Sequence, residues 1–363
     1  MNISKSPKVF FAVLNMGLGH ATRSLPIIRE LFARGCEVTV GSSGRALIFL
    51  RQEIPSAGFV ELPDYRLSYS RRGVTLPGLL VQVPRMLKMI GREHRLMAEF
   101  VRQQQIDLVI SDHRYGCYSE SIPSFFITHQ LRFIAPFALR PFEFIGVRFN
   151  RRYHQKYTGV IVPDVRENAG GLFSGRLSQV RHGANYYFPG ILSSVRKQNN
   201  PPQDIDVLVS ISGPEPQRSV FEEIVRRQIG EVPGQKVVVL GKPEAREVET
   251  PAPGLTIYPH LSRRRMEEFL NRSKLIVSRS GYSTVMELAE LGKKTLFVPT
   301  PGQTEQNYLA QRFSSLGWVM TVAQKNMNLS RDIKLAREFS GFPGNLSTEQ
   351  TVDTVMRLLF GAA

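Results

Sequence analysis

A buried strand running directly into a glycine turn and a helix opens this chain, and that arrangement limits the folds open to it. Residues 8–14 (KVFFAVL) form a continuous apolar run of strand length, Asn15-Met16-Gly17-Leu18-Gly19-His20 reads as a turn, and residues 21–33 set Leu25, Ile28, Leu31 and Phe32 at helical spacing. Residues 37–40 predict the next strand. Further on, residues 106–110 (IDLVI) end in Ser111-Asp112-His113, and residues 124–128 (SFFIT) end in His129-Gln130. Strands that end in polar residues and alternate with helices are the pattern of a parallel α/β sheet.

The rhythm breaks at Asn199-Asn200-Pro201-Pro202, a polar stretch closed by proline, and then restarts. Strands are predicted over residues 206–211, 236–240, 255–258, 275–278 and 295–298. Helices are predicted over 218–229, 263–270, 284–291 and 306–315, with a final amphipathic helix over residues 348–360. A chain of 363 residues has room for two domains with separate cores, and its 42% hydrophobic and 21% charged residues are those of a globular protein. The expected division is a first α/β domain over 1–195, a second over 203–345, and a terminal helix over 346–363 that packs back on the first.

Charge and cysteine content exclude several classes. Cys36 and Cys117 cannot build a disulfide framework or a cysteine-rich zinc site, so a cytoplasmic setting is expected. No run of 18 uncharged apolar residues occurs, which excludes a spanning helix, and the apolar run near the N-terminus lacks the cleavage site of a signal peptide. The net charge of +16 points to an anionic partner. Its excess lies in the first half: residues 1–190 carry 25 basic and 13 acidic side chains, residues 191–363 carry 22 and 18.

Two segments of that half mix arginine with apolar residues. Between Arg71 and Arg102, Leu76, Leu79, Leu80, Val83, Met86, Leu87, Ile90 and Leu96 are interleaved with Arg85, Lys88, Arg92 and Arg95. Between Arg132 and Lys156, Phe133, Phe137, Phe142, Phe144 and Phe149 alternate with Arg140, Arg148, Arg151 and Arg152. Such segments suit peripheral binding to an anionic membrane, and equally suit core-packing helices with solvated arginines.

The candidate chemistry lies at strand-to-helix turns. Gly17-Leu18-Gly19-His20 sits where amides and the positive end of a helix collect anions. Thr22 stands where a dinucleotide fingerprint needs a third glycine, and no P-loop motif occurs. His20 can take a proton from a hydroxyl if a carboxylate orients its other nitrogen, and Asp112 is the natural partner. His113 is an equally legitimate base. In the second half, Ser280-Gly281-Tyr282-Ser283-Thr284 opens a helix, Glu287 lies one turn inside it, and Pro301-Gly302-Gln303-Thr304-Glu305-Gln306-Asn307 forms another polar turn. Gly213 permits close backbone approach after the first strand of that half.

MGLGHATRS near the N-terminus and SRSGYSTVMELAELGKKTLFVPTPGQTEQNYLA near the C-terminus, on two α/β halves, resemble the GT-B-fold glycosyltransferases. The nearest group contains the lipid-II-forming N-acetylglucosaminyltransferase and the UDP-glycosyltransferases. The resemblance implies two Rossmann-like doubly wound domains facing across a cleft, the first binding an acceptor and the second a nucleotide-sugar, with UDP-sugar expected. Ser280, Gly281, Ser283 and Thr284 would hold the diphosphate, Glu287 the ribose, the backbone around His260 and Leu261 the base, and Glu305 with Gln306 the donor sugar. His20 would be the catalytic base of an inverting transfer and Asp112 its orienting acid, with no metal and no further cofactor required. The only tryptophan, Trp318, lies outside the C-terminal motif, a departure from the plant-type enzymes.

The expected activity is therefore transfer of a sugar to a hydroxyl acceptor, lipid-linked or glycan, at the inner membrane face, with no nucleic-acid partner. The rival readings are a sugar-nucleotide epimerase or hydrolase of the same fold, and a non-enzymatic binder of anionic polymer.

Overall fold

The computed structural model describes residues 6–65, 76–135, 137–179 and 185–361. The chain divides into two compact units, one formed by residues 1–194 with 347–363 and the other by residues 195–346.

Unit 1 opens with β1 (Lys8–Val13), α1 (Gly19–Ala33), β2 (Glu37–Ser42), α2 (Gly44–Glu53), β3 (Gly58–Glu61) and the long helix α3 (Leu76–Gln104). It continues through β4 (Leu108–Asp112), β5 (Ser124–Ile127), α4 (Glu143–His154), β6 (Gly159–Ile161), the small hairpin β7 (Arg166–Glu167) and β8 (Gly170–Gly171), and β9 (Tyr186–Tyr187). The sheet order is β3-β2-β1-β4-β5-β6-β9, with every pair parallel. Alternate residues of β1 enter different cores: Val9, Phe11 and Val13 pack with Leu25, Ile28 and Leu31 of α1, whereas Phe10 and Ala12 pack with Met97 and Val101 of α3. A sheet covered on both faces needs near-continuous apolar strands, which is why KVFFAV shows no polar alternation.

Unit 2 contains β10 (Ile205–Ser210), α5 (Gln217–Gln228), β11 (Lys236–Val239), β12 (Glu249–Ala252), β13 (Leu255–Tyr258), α6 (Arg263–Arg272) and β14 (Ser273–Ser278). Then follow α7 (Tyr282–Leu291), β15 (Lys294–Phe297), α8 (Thr304–Ser315), β16 (Met320–Thr321) and α9 (Leu329–Ala336). The last helix, α10 (Thr348–Phe360), belongs to unit 1, where Val352, Val355 and Met356 join the core beneath α1. The order of the second sheet is β12-β13-β11-β10-β14-β15-β16, parallel except for the antiparallel edge strand β12.

Counted by parallel strands, unit 2 runs 3-2-1-4-5-6, the doubly wound Rossmann order, and unit 1 runs the same order with β9 added as a seventh strand at the edge. The order reverses between β1 and β4 in unit 1, and between β10 and β14 in unit 2. A crevice opens at such a reversal outside the carboxyl ends of the strands, so ligand chemistry is sought there.

Both arginine-rich segments contain helices. The buried stripe of α3 is Ile90, Glu93, Met97 and Val101, while Val83, Leu87 and Leu96 are exposed beside Arg85, Lys88, Arg92 and Arg95. On α4, Phe144 and Ile145 are 64% and 54% exposed next to Phe142 and Arg148, Arg151 and Arg152. Met86 and Met89 of α3 and Phe149 and Tyr153 of α4 pack against one cluster around Tyr115 and Phe126, so the two helices share a neighbourhood. The side chains of Leu76, Leu79, Leu80 and Phe137, and the backbone at Arg71, lie outside the described residues. Among the described residues, no helix is long and apolar enough to cross a membrane.

Candidate active site

Val13, the last residue of β1, pairs with Asp112, the last residue of β4, which brings the turn after β1 alongside the end of β4. His20 follows Gly19 in the first turn of α1, and its Nδ1 lies 2.7 Å from Oδ1 of Asp112. The carboxylate is fully buried and gathers further donors: Arg23 Nε at 2.7 Å and Ser24 Oγ at 3.0 Å reach Oδ2, and Arg23 Nη2 donates to Oδ1. Burial alone pushes the Asp112 carboxyl up, but the Arg23 guanidinium and then His20 outweigh it and hold the group well below the usual carboxylate range. A carboxylate only accepts, so His20 carries its hydrogen on Nδ1 and its lone pair on Nε2. That is the arrangement required of a general base.

The two histidines left open by the sequence are now distinguished. His113 sits at φ 60°, in the left-handed region, which turns its side chain away from the course of β4. Its Nε2 lies 3.4 Å from the Thr128 hydroxyl, and its buried Nδ1 has no hydrogen-bond partner. Burial, with His20 and Arg23 nearby, holds its pKa well below the ordinary histidine value. It meets His20 edge to face at 5.1 Å and does not pair with Asp112. Immediately beyond, the turn is tied down by Arg114, whose Nε bonds Glu93 of α3 at 2.5 Å and whose Nη1 bonds the Val13 carbonyl at 3.3 Å.

Ligand atoms of His20, Asp112 and His113 lie within 4.8 Å of one another, a spacing that could suit a metal ion. The Arg23 fork already engages both Asp112 oxygens, and its charge would oppose a second cation. Asp112 is thus paired with Arg23 and bonded to His20, with His113 in edge-to-face contact with His20.

In unit 2, β14 ends at Ser278, and Arg279, Ser280 and Gly281 make the turn into α7. Gly281 is the N-cap of α7 and has no side chain with which to cap it, so the first turn, with Ser283 and Thr284, ends the helix without side-chain capping. Ser280 is fully buried and donates its hydroxyl to the Gln306 carbonyl at 2.8 Å, which fastens this turn to α8. Gln306 is itself built into the neighbouring turn: its Oε1 accepts from the Thr300 amide at 2.8 Å and its Nε2 donates to Gln303 at 2.6 Å. Glu287 and Glu305 are half-buried, one on α7 and one in the first turn of α8. His260 is exposed and Leu261 buried just before α6.

Gly213, exposed at φ 118° after β10, is close to a group the sequence did not single out. A Cβ there would lie 3.6 Å from Thr300 Oγ1 and 3.9 Å from Arg279 Nε. Arg279 is 2% exposed and donates to the carbonyls of Val298 at 2.8 Å and Gln217 at 3.0 Å and to Gln324 Oε1 at 2.7 Å, with its guanidinium 4.2 Å from the Phe221 ring. No carboxylate partners it among the described residues, and burial lowers its pKa to about 10, so it stays charged at neutral pH. The buried hydroxyl of Thr300 has no hydrogen-bond partner.

Arg23, Ser24, His129 and Arg279 were not singled out by the sequence: the first three gather beside His20 and Asp112, and Arg279 lies in the turn before Gly281. The first two were within reach, since residues three and four beyond His20 share its helix face. Arg279 gave no signal, because its partners come from four separate segments.

Two family domains match this chain. Residues 228–350 match the glycosyltransferase family 28 C-terminal domain, and residues 7–125 match glycosyl transferase family 1. An uncharacterized glycosyltransferase of Methanosarcina acetivorans is 23% identical over 351 residues, 86% of this chain and 82% of that protein. The UDP-N-acetylglucosamine–N-acetylmuramyl-(pentapeptide) pyrophosphoryl-undecaprenol N-acetylglucosamine transferase of Rhodopseudomonas palustris is 38% identical over 73 residues, 20% of this chain and 19% of that enzyme. Among solved structures, the glycotransferase of kitacinnamycin has a TM-score of 0.66 at 16% identity, covering 98% of this chain and 99% of that one. MurG of Acinetobacter baumannii has a TM-score of 0.60 at 14% identity, covering 97% and 99%.

The two Rossmann-like units give the GT-B fold, and the matched family domains make the chain a glycosyltransferase. The chain belongs to that class and carries a family 28 C-terminal domain, which removes the reading as a non-enzymatic binder of anionic polymer.

Proposed function

We propose that the enzyme transfers a sugar from a nucleoside-diphosphate sugar, UDP-sugar first among them, to a hydroxyl of a lipid-linked acceptor, with inversion at the anomeric carbon. The buried His20–Asp112 pair at the carboxyl edge of the first sheet carries this reading. Nε2 of His20 takes the proton of the acceptor hydroxyl, the oxygen forms a bond to the anomeric carbon, and the bond from that carbon to the diphosphate oxygen breaks with its electron pair. The proton rests on the imidazole, steadied by Asp112, and the nucleoside diphosphate leaves. A preorganised positive field is what such a leaving group needs. The uncapped start of α7 at Gly281, with Ser283 and Thr284, and the buried Arg279 behind it supply one in unit 2. Glu287 is assigned to the ribose diol, the backbone at His260 and Leu261 to the base, and Glu305 with Gln303 to the sugar. Gln306, whose amide is engaged at both ends, holds that turn in shape.

The acceptor reading rests on unit 1. Phe142, Phe144 and Ile145, ringed by arginines, make an apolar and basic face suited to anionic lipid, and the exposed side of α3 repeats the composition. The name of the Rhodopseudomonas palustris relative describes an acceptor on pyrophosphoryl-undecaprenol, in keeping with a lipid carrier. A peripheral position at the cytoplasmic membrane face follows.

The test is product formation from a panel of nucleotide-sugars on bacterial lipid extract, in vesicles with and without phosphatidylglycerol. A sugar-bearing lipid is expected, formed several-fold faster on anionic vesicles, and removal of the base in His20→Ala should cost about 10²–10⁴ in rate. An unchanged rate in His20→Ala would refute the base assignment, and indifference to vesicle charge would refute the membrane part.

A further inference from the structure

Arg23 lies within the MGLGHATRS stretch, but the resemblance gives it no role, and it makes several connections beside the turn after β1. It is 3% exposed, forks onto both oxygens of Asp112, and reaches two histidines: Nη2 lies 2.9 Å from Nδ1 of His20, and Nη1 lies 3.0 Å from Nδ1 of His129. A guanidinium can only donate and a carboxylate can only accept. At His20, Nδ1 faces a carboxylate oxygen at 2.7 Å, so it holds the hydrogen, and Nη2 gives its own hydrogen to Asp112. At His129 the geometry is reversed. Arg23 Nη1 can only donate, so Nδ1 of His129 accepts from it and the ring carries its hydrogen on Nε2. Arg23 thus acts on the two rings differently: it holds the carboxylate that fixes the His20 tautomer, and it donates directly to His129.

We propose that Arg23 is a positioning residue of the transfer reaction, holding Asp112 in place and His20 as the Nδ1–H tautomer so that Nε2 faces the acceptor as the base. This rests on the reading of His20 as the base. The groups facing His20 are Asp112 and His113 from β4 and the turn beyond it, and Arg23 from its own helix, with His129 behind Arg23. Arg23 also weighs against a charged imidazole. Removing it leaves Asp112 with one cationic neighbour and favours the imidazolium, so a higher pH is needed to free Nε2.

The direct test is ¹⁵N–¹H correlation of the full-length chain labelled in its seven histidines, with His20 and His129 assigned from His20→Gln and His129→Gln. The wild type should show His20 protonated at Nδ1 and His129 at Nε2. In Arg23→Gln the His129 tautomer should invert or become mixed, and the His20 titration midpoint should rise by about one pH unit. Guanidinium ion added to Arg23→Ala should restore the wild-type pattern, which a merely space-filling arginine would not allow. Either tautomer reversed in the wild type overturns the proposal without recourse to a variant, as do unchanged His20 and His129 signals in folded Arg23→Gln. If His20→Ala transfers sugar at the wild-type rate, the base reading fails independently of these spectra.

Discussion

Two buried arginines, Arg23 in unit 1 and Arg279 in unit 2, stand near the points where the sheet orders reverse and keep opposite company, while Arg114 of unit 1 is paired with Glu93. Arg23 is forked onto a carboxylate that also binds His20, so positive and negative charge are matched beside the imidazole. Arg279 is surrounded by carbonyls, an amide and a phenyl ring, with no acid among the described residues and an unpartnered hydroxyl at Thr300 close by. A buried charge without a counter-ion costs stability, and a fold retains one most readily where an anion arrives to complete it. The same doubly wound frame thus carries one buried arginine matched by a carboxylate and another held by neutral acceptors.

The contrast breaks most visibly at Asp112. Removing one partner of a buried ion pair costs about 3–5 kcal/mol, so Asp112→Asn should lower unfolding stability by that order at neutral pH. Because the folded Asp112 titrates below its unfolded value near 3.9, its contribution is complete above that pH and lost as pH falls below it. Chemical denaturation at pH 7 and pH 3 should show the Asn variant losing less stability than the wild type on acidification. Equal losses would mean that Asp112 is not held by Arg23 and His20 as described.

A smaller effect is expected on the other side. Thr300→Val removes a buried hydroxyl that has no partner, so it should stabilise the protein by about 1 kcal/mol, measured by the same denaturation. A loss of stability of that size would show the hydroxyl to be bonded, and the contrast between the two turns would weaken.

The frame of this molecule was legible because β1, β4, β10 and β14 carry buried apolar stretches, VFFAV, LVI, VLV and LIV, each closed by polar residues. Short edge strands such as β9 and β16, two residues each, carry no period to detect. Helix α2 was missed because only Ala46, Leu47 and Leu50 are buried in it, too few to mark a stripe. The choice between His20 and His113 was not legible, since it turns on the positive φ of His113, a backbone property no spacing reveals. The asymmetry of the two arginines was equally hidden. Arg23 has its acid 89 residues away, and the isolation of Arg279 depends on what four segments fail to bring near it.

The account stands or falls on whether unit 2 holds a nucleoside diphosphate. Calorimetric titration of the wild type and of Glu287→Ala with UDP, GDP, dTDP and CDP decides it most directly. The expected result is micromolar binding of one nucleotide, weakened about 10–100-fold in Glu287→Ala by loss of a charge-assisted hydrogen bond to the ribose. Absence of heat from all four nucleotides with folded wild-type protein would contradict the donor site, and equal binding by the variant would contradict the role given to Glu287.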